Sequence, residues 1–524
     1  MIGELLATTP DGMPVFLMVS AILAAVMLIW DTIEVGRNDA ANLVNAVFGA
    51  RVLTRSAAVW VAGFGVVLGA IASSPVIETT RRKIFEPTML DTIEKAVAVY
   101  VAVYIVDTVL LYGYSAFGMP VSTTACLVFE LLGAAFALGG FQIVYWDKAG
   151  EVVSAIIISI FTSGAAAFIV QRALRGAIRD RGQQLTTLLL HGGWVGGGML
   201  AGLTYFMLVK GMPGIPAVQH LNQWLDERAY GVGWLILALW VAYGILVHMA
   251  LVLFRKKAAQ WLFPGLAIFG TVCMGFAFGQ NDLANCAAPG LSALTLIWYY
   301  EEGLQFATNV SIAWYMLLFA GGLLLAGMTT QNAARVTRAQ IHTGSMAHNV
   351  ALWAPRWCIR LARLLLRLKG KAPALAPPPV RTHAGKTLHY DPLRACTILA
   401  VSASVIATAS GLGLPVSTTY VAFAAVVATG AADRILHRGD AELKLARTIW
   451  VVFSWFAAAV IAAAAACVVC LIVYHLGVVG ILTCIGGNLT VRTILKYRGD
   501  AQEKLVREQA RDRMYPERYT DYEG

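Results

Sequence analysis

The stretch Thr448–Val491, TIWVVFSWFAAAVIAAAAACVVCLIVYHLGVVGILTCIGGNLTV, runs for 44 residues without an Asp, Glu, Lys or Arg. A helix needs only about 20 apolar residues to cross the hydrocarbon core of a bilayer. Ala395–Ala432, Gly303–Ala334 and Ser56–Ile77 are likewise free of formal charge. Across all 524 residues the chain is 58% hydrophobic and only 13% charged, with a mean hydropathy of +0.68. A soluble domain carries about 25% charged residues. The sequence therefore predicts an all-α polytopic membrane protein and excludes a soluble fold.

Net charge is +10, and its placement decides its meaning. Eleven Lys or Arg and a single acid, Asp391, fall between Asn332 and Arg394. Smaller basic clusters lie at Arg81-Arg82-Lys83, Arg172–Arg181 and Arg255-Lys256-Lys257. Basic loops between spans are what the positive-inside rule produces, so the charge reads as topology, with residues 332–394 cytoplasmic and no nucleic-acid partner. Eight cysteines are scattered through apolar stretches and one basic loop, which gives no disulfide framework. Cys467 and Cys470 form a CxxC inside Ala-rich membrane sequence and read as small buried thiols. The apolar run at 15–30 lacks a basic segment before it and reads as the first span rather than a cleaved signal.

Apolar segments recur along the chain and predict about 12 full spans. Two further stretches, 36–53 and 281–298, are shorter and Asn-rich, and are expected as half-length (re-entrant) helices. Within the basic loop, residues 350–369 place Arg356, Arg360, Arg363 and Arg367 on one helical face. Trp353, Trp357, Leu361, Leu364, Leu365 and Leu368 cover the rest. Such a helix lies in the headgroup plane or packs on the membrane core. Ala372–Pro379 reads as a stiff linker. The expected organisation is a transmembrane part over 1–331, the basic loop 332–394, a second transmembrane part over 395–497 and a charged, solvated tail over 498–524.

Two motifs occur twice, in the same order. Gly36-Arg37-Asn38-Asp39-Ala40-Ala41-Asn42 matches Gly279-Gln280-Asn281-Asp282-Leu283-Ala284-Asn285 as G-x-N-D-x-A-N. Gly118-Met119-Pro120-Val121-Ser122-Thr123-Thr124 matches Gly413-Leu414-Pro415-Val416-Ser417-Thr418-Thr419 as G-x-P-V-S-T-T. Asp39 and Ser122 are 83 positions apart and Asp282 and Ser417 are 135 apart, an excess near the 63-residue length of the basic loop. The second half reads as the first with that loop inserted. Interrupted segments at matching positions are the sequence mark of inverted repeats in secondary transporters, with the binding site at the repeat interface.

The chemistry of the motifs suits that site. Pro followed by Val-Ser-Thr-Thr fits a helix start, where a Ser or Thr caps free N–H groups. Two such N-termini facing one another would clamp a tetrahedral oxyanion through N–H groups, hydroxyls and helix dipoles, with no buried Arg or Lys. On a helix, Asp39 and Asn42 share a face, as do Asp282 and Asn285. Carboxylate and amide oxygens suit a hard cation such as Na⁺, and the amide NH₂ groups donate to an anion. An ionisable residue inside a membrane is a functional candidate by default. A cation beside the anion would neutralise both, the physical basis of symport. The carboxylates could equally carry H⁺ or accept the proton of a protonated phosphate.

At these residues the chain resembles the inorganic phosphate transporter (PiT) family, whose members carry a G-A-N-D-x-A-N-A type signature and a P-x-S-T-T element in each half. Pro75–Ile84 and Ser454-Trp455 resemble further family segments, and the resemblance covers roughly residues 15–330 and 394–492. It implies an inverted-repeat α-helical carrier that moves inorganic phosphate with Na⁺ or H⁺ by alternating access, and not an enzyme. By motif, phosphate contacts fall on Asn38, Asp39, Asn42, Ser122, Thr123, Thr124, Asn281, Asp282, Asn285, Ser417, Thr418 and Thr419. The coupling ion falls on Asp39, Asn42, Asp282 and Asn285, with Na⁺ at Asp39 and Asp282. No cofactor is implied beyond that ion; the partners are phosphate and the lipid bilayer, a homodimer being left open. The expected location is a bacterial inner (plasma) membrane.

The chain departs from the pattern at Arg37 and Gln280, where the signature has a small residue, and at Ala125 and Tyr420, where many members have His. A sulfate permease of the same fold is the alternative, disfavoured because sulfate brings no proton to two carboxylates at neutral pH. An intramembrane prenyltransferase is more remote, since Asn42 and Asn285 stand where a diphosphate–Mg²⁺ motif wants a second Asp.

Overall fold

A computed structural model describes residues 13–82, 87–213, 215–300, 313–347, 349–368, 388–437 and 439–514. The expected linker Ala372–Pro379 and the end of the tail lie outside these residues. The helices are α1 (Val15–Gly49), α2 (Arg55–Ile71), α3 (Ser74–Arg82), α4 (Ile93–Ala116), α5 (Thr123–Gly139) and α6 (Trp146–Ile178). They continue with α7 (Leu185–Thr204), α8 (Pro216–Asp226), α9 (Gly231–Trp298), α10 (Trp314–Met328) and α11 (Gln331–Thr343). The chain ends with α12 (Arg356–Leu368), α13 (Pro392–Gly411), α14 (Thr418–Ala432) and α15 (Ala441–Met514).

Among the described residues, eight helices are long and apolar enough to cross a membrane, or nine if the pair α2 and α3, bent by 68°, counts as one span. The protein is an integral, multi-pass, all-helical membrane protein. The count differs from the sequence expectation because two apolar segments run together in α9 and again in α15. Each of these helices is interrupted at one residue, Arg255 (φ 46°) and Gly477 (φ 59°). The helices α10 and α14 have 15 residues each, short of the roughly 20 a full crossing needs. The N-D-x-x-N segments are not separate half-length helices: α1 runs unbroken past Asn42 to Gly49, and α9 passes through Asn285 to Trp298.

The helices α1 and α9 pack against each other and against α10 and α2, and the first residue of each signature explains the close approach to those neighbours. A Cβ added at Gly36 would come within 2.0 Å of the Leu324 carbonyl oxygen in α10, and one at Gly279 within 2.1 Å of the Val66 carbonyl oxygen in α2. Only glycine permits these backbones to approach so closely, the usual device of helix contacts in membranes.

The basic segment is less loop-like than its charge predicts. Its start is α11, whose Ala333, Thr337, Gln340 and Ile341 are buried. Arg335 of that helix pairs with Asp500 (2.6 Å) and Glu503 (2.5 Å) of α15. Residues 498–514, expected as a solvated tail, continue the last helix, held to α11 through Asp500 and Glu503 while Lys504, Leu505 and Arg507 are exposed. Arg394 is wholly buried, donating to Thr429 Oγ1, Gly344 O and Val426 O. The amphipathic α12 buries Cys358 and Ala362 beside Ala446 and pairs Arg363 with Glu442, while Trp357, Leu361, Leu364, Leu365 and Leu368 remain exposed.

Candidate functional site

The two G-x-P-V-S-T-T elements build the same turn. Gly118 (φ 64°) and Gly413 (φ 69°) take the left-handed backbone that favours glycine, and each reverses the chain into a helix start. Ser122 caps α5, its Oγ accepting from Ala125 N at 3.0 Å; Ser417 caps α14, its Oγ accepting from Tyr420 N at 3.1 Å. The following threonines begin each helix, where the first N–H groups have no intrahelical acceptor.

The Asn that precedes each Asp docks the turn onto α1 or α9. Asn38 Nδ2 donates to Val121 O at 2.7 Å and its Oδ1 accepts from Ser115 at 3.4 Å. Asn281 Nδ2 donates to Val416 O at 2.6 Å and its Oδ1 accepts from Ser410 at 3.3 Å. The sequence reading missed Ser115 and Ser410, although each stands three residues before its glycine. The repeat is thus longer than first read, S-x-x-G-x-P-V-S-T-T.

The last threonine of each element crosses to the other half. Thr124 Oγ1 donates to Val416 O at 3.0 Å and accepts from Asn285 Nδ2 at 2.9 Å. Thr419 Oγ1 lies 3.1 Å from Val121 O and 2.6 Å from Asp39 Oδ1, and accepts from Asn42 Nδ2 at 3.0 Å. Its one proton serves one of the two acceptors at a time. Asp39 Oδ1 also accepts from Asn38 (2.9 Å) and Asn42 (3.0 Å). Asp282 Oδ1 accepts from Asn285 at 2.8 Å. Thr123 joins the two acids, its hydroxyl 3.2 Å from Asp39 Oδ2 and 3.0 Å from Asp282 Oδ1.

All twelve residues marked in the sequence gather in one buried cluster, each at most 1% exposed. Within it, Asp282 Oδ2, Asn285 Oδ1 and the Thr418 hydroxyl have no hydrogen-bond partner. Gln340 of α11, which carried no sequence signal, donates to Asn42 Oδ1 at 3.4 Å.

Arg37 and Gln280, the departures within the G-x-N-D-x-A-N signature, are bonded outside this network. Arg37 pairs with Glu34 at 2.8 Å, one turn back along α1, and lies over the Tyr112 ring. Gln280 Nε2 donates to Gly211 O. Tyr420 stacks on Trp455, whose Nε1 donates to Pro120 O at 3.3 Å, so the late Ser-Trp of the sequence braces the first turn. Arg447 donates to Gly118 O at 2.7 Å on the same turn.

Comparison with known proteins bears on what this network serves. The chain is 26% identical over 442 residues to a Thermococcus kodakarensis protein named "putative phosphate permease", covering 82% of this chain and 91% of the relative. A Pyrococcus horikoshii protein of the same description is 25% identical over 433 residues, covering 80% and 90%. One from Helicobacter pylori is 24% identical over 424 residues, covering 78% and 68%. A solved structure titled "The sodium-dependent phosphate transporter" shares the fold, with a TM-score of 0.64 and 20% identity over 87% of this chain and 99% of that one. The model of the phosphate transporter family matches residues 35–339 and 378–484, and the chain belongs to that family.

Proposed function

We propose that the protein carries inorganic phosphate across a prokaryotic plasma membrane together with Na⁺ or H⁺. In this proposal it works by alternating access at a site between two inverted repeats. The observation that carries it is the meeting of two helix N-termini, α5 and α14, over a pair of buried aspartates, with threonines of each half bonded to the other. The N-terminal amides of Thr123, Thr124, Thr418 and Thr419 offer donors and partial positive charge to a tetrahedral anion. The Ser122 and Ser417 hydroxyls accept from backbone N–H groups and keep their own protons to donate.

Asp39 and Asp282 answer the charge balance. A phosphate in a low-dielectric site beside two carboxylates is repelled unless cations or protons accompany it. Loading the anion and its cations together makes the occupied site close to neutral and so able to change sides of the membrane. The paired hydrogen bonds of the two halves support alternation, because breaking Thr124–Val416 on one side and Thr419–Val121 on the other would open the site in turn. The family relatives named as phosphate permeases support phosphate as cargo, and the sodium-dependent transporter of similar fold supports Na⁺ among the cations.

The test is uptake of radiolabelled phosphate into proteoliposomes under separate Na⁺ and H⁺ gradients, with sulfate and arsenate as competitors. Phosphate should accumulate under at least one gradient, with sulfate a weak competitor. Accumulation of sulfate in its place, with phosphate ignored, would assign the site to another oxyanion.

A further inference from the structure

Three carboxylic acids outside the twelve-residue network lie on neighbouring helices inside the bundle. They are Asp31 of α1, Asp107 of α4 and Glu130 of α5, each at most 1% exposed. None of their six carboxylate oxygens has a hydrogen-bond donor. The Asp31 and Asp107 side chains stand at hydrogen-bonding range of each other, and Glu130 lies within electrostatic range of both. Two carboxyl groups can bond to one another only through a proton or a bound cation.

The surrounding titratable groups do not neutralise them. Glu34, Tyr104, Cys286 and Arg492 face Asp31; Glu34, Tyr104, Cys126 and Asp39 face Asp107; Cys126 also faces Glu130. Arg492 is bound to Glu34 at 2.5 Å, and the same Glu34 binds Arg37 at 2.8 Å. Two arginines against Glu34 leave one positive charge to set against three carboxylates. Tyr104 is committed elsewhere, donating to Cys286 O at 2.6 Å and accepting from Gly290 N at 2.8 Å. Three ionised, donor-free carboxylates inside a membrane would cost many kcal/mol, so cations must occupy them. Among the described residues no group of three Asp, Glu, His or Cys side chains converges in a way that holds a metal ion. A proton needs only two facing carboxylate oxygens, which Asp31 and Asp107 supply.

We propose that Asp31, Asp107 and Glu130 form a proton-binding site, separate from the Asp39–Asp282 network, through which movement of phosphate is coupled to H⁺. The proposal rests on the reading of the chain as a phosphate carrier. Protons from water on one side convert carboxylates of the cluster to carboxyls, and the same protons return to water on the other side. Coupling runs along α1 and α4. Asp31 and Asp39 lie eight residues apart on α1, about 12 Å at the α-helical rise, and Asp107 is in electrostatic range of Asp39. Loading the cluster therefore lowers the negative potential at the anion site.

The experiment compares the full chain with Asp107→Asn and Glu130→Gln in proteoliposomes. It measures phosphate–phosphate exchange without a gradient, accumulation driven by an inward H⁺ gradient, and phosphate-dependent acidification of the lumen read by a trapped dye. In both variants exchange should persist, accumulation should fall at least about tenfold and phosphate-dependent acidification should vanish. Unchanged accumulation and acidification in both variants would overturn the proposal, as would a wild-type protein that follows Na⁺ alone and ignores pH. A wild-type protein that exchanges no phosphate overturns the carrier reading instead, a separate failure. If the variants also lose exchange, infrared spectroscopy of the wild-type protein in lipid decides. A protonated carboxyl C=O band at neutral pH that Glu130→Gln diminishes supports the cluster, and its absence refutes it.

Discussion

The Thr419 hydroxyl lies 2.6 Å from Asp39 Oδ1, joining residues 380 positions apart and belonging to opposite halves of the chain. A charge-assisted hydrogen bond is worth about 1.5–3 kcal/mol, and this one also fixes the hydroxyl against which Asn42 donates. Thr419→Val keeps the shape and removes both links. Phosphate uptake at sub-saturating concentration should fall roughly tenfold to a hundredfold. The protein should still be purified as a folded, monodisperse species. Uptake close to wild type would show that this bond is mere helix packing.

Asp39→Asn and Asp282→Asn keep the side-chain volume and delete the charge that answers the cation. Each should reduce gradient-driven phosphate uptake to background. Normal uptake by both variants would remove the two aspartates from the transport site. The two need not be equal, since Asp39 Oδ1 accepts from three side chains, whereas Asp282 keeps one oxygen unpartnered.

Arg37 looks in the sequence like a positive charge beside an anion site. In the structure its charge is spent on Glu34, so Arg37→Gln should change the half-saturating phosphate concentration by less than about threefold. Glu34→Gln should do more damage, because it leaves Arg37 and Arg492 without their shared acid, with Arg492 only 11% exposed. Concentration dependence of uptake for the two variants orders them. A larger effect from Arg37→Gln would mean the guanidinium acts on the anion after all.

These cases show what a sequence exposes and what it hides. The twelve residues of the network were legible because the chain states each motif twice, and repetition of polar residues inside apolar sequence has few structural explanations. Ser115 and Ser410 were legible in principle at the same spacing from Gly118 and Gly413. Gln340 was not, because it stands once, in a segment whose Arg content reads as loop. Arg335 and Glu503 are 168 positions apart, so the pairing that folds the charged tail onto α11 has no local signature. The cluster Asp31, Asp107 and Glu130 is equally silent in sequence. Each of the three acids occurs once and belongs to neither repeated motif, and only the packing of the helices brings them together. The span number was hidden for a different reason: Arg255-Lys256-Lys257 reads as a basic loop between two spans, whereas the helix resumes directly after the break at Arg255, as it does after Gly477 in uncharged sequence.

Gly279 meets the Val66 backbone with no space for a side chain. Gly279→Val would have to push α2 away from α9, and overpacking of this kind costs about 1–3 kcal/mol or more where the contact is backbone. The variant should give a lower melting temperature in detergent and much reduced yield. Gly265→Ala, on the same helix with open space around it, should be neutral. Equal stability of Gly279→Val and wild type would contradict the close approach on which the α2–α9 contact depends.

Acidification should weaken the face where α11 meets the segment before α13. The His342 and His389 rings lie 4.8 Å apart. Burial, followed by the charge of Arg338, Lys444 and Arg51, holds His342 down at about 4. Burial, followed by His342, Arg51 and Lys444, holds His389 down at about 3. Both are therefore neutral in the folded protein at neutral pH, and Ala351 N donates to His342 Nδ1 at 3.0 Å, a bond that protonation there would destroy. An unfolded histidine titrates near about 6.5, so between that pH and the folded values the unfolded chain binds more protons. Stability must then fall as pH drops through this window. Asp433 acts in the same sense lower down. Despite burial, the ion pair with Arg175 at 2.8 Å holds its carboxyl below the usual range, and that stabilisation is lost as it protonates. Melting temperature in detergent should thus decline from about pH 7 to about pH 4. His342→Gln together with His389→Gln should flatten the upper part of that decline, because Gln has no proton to gain. A wild-type slope retained in the double variant would place the sensitivity on other groups.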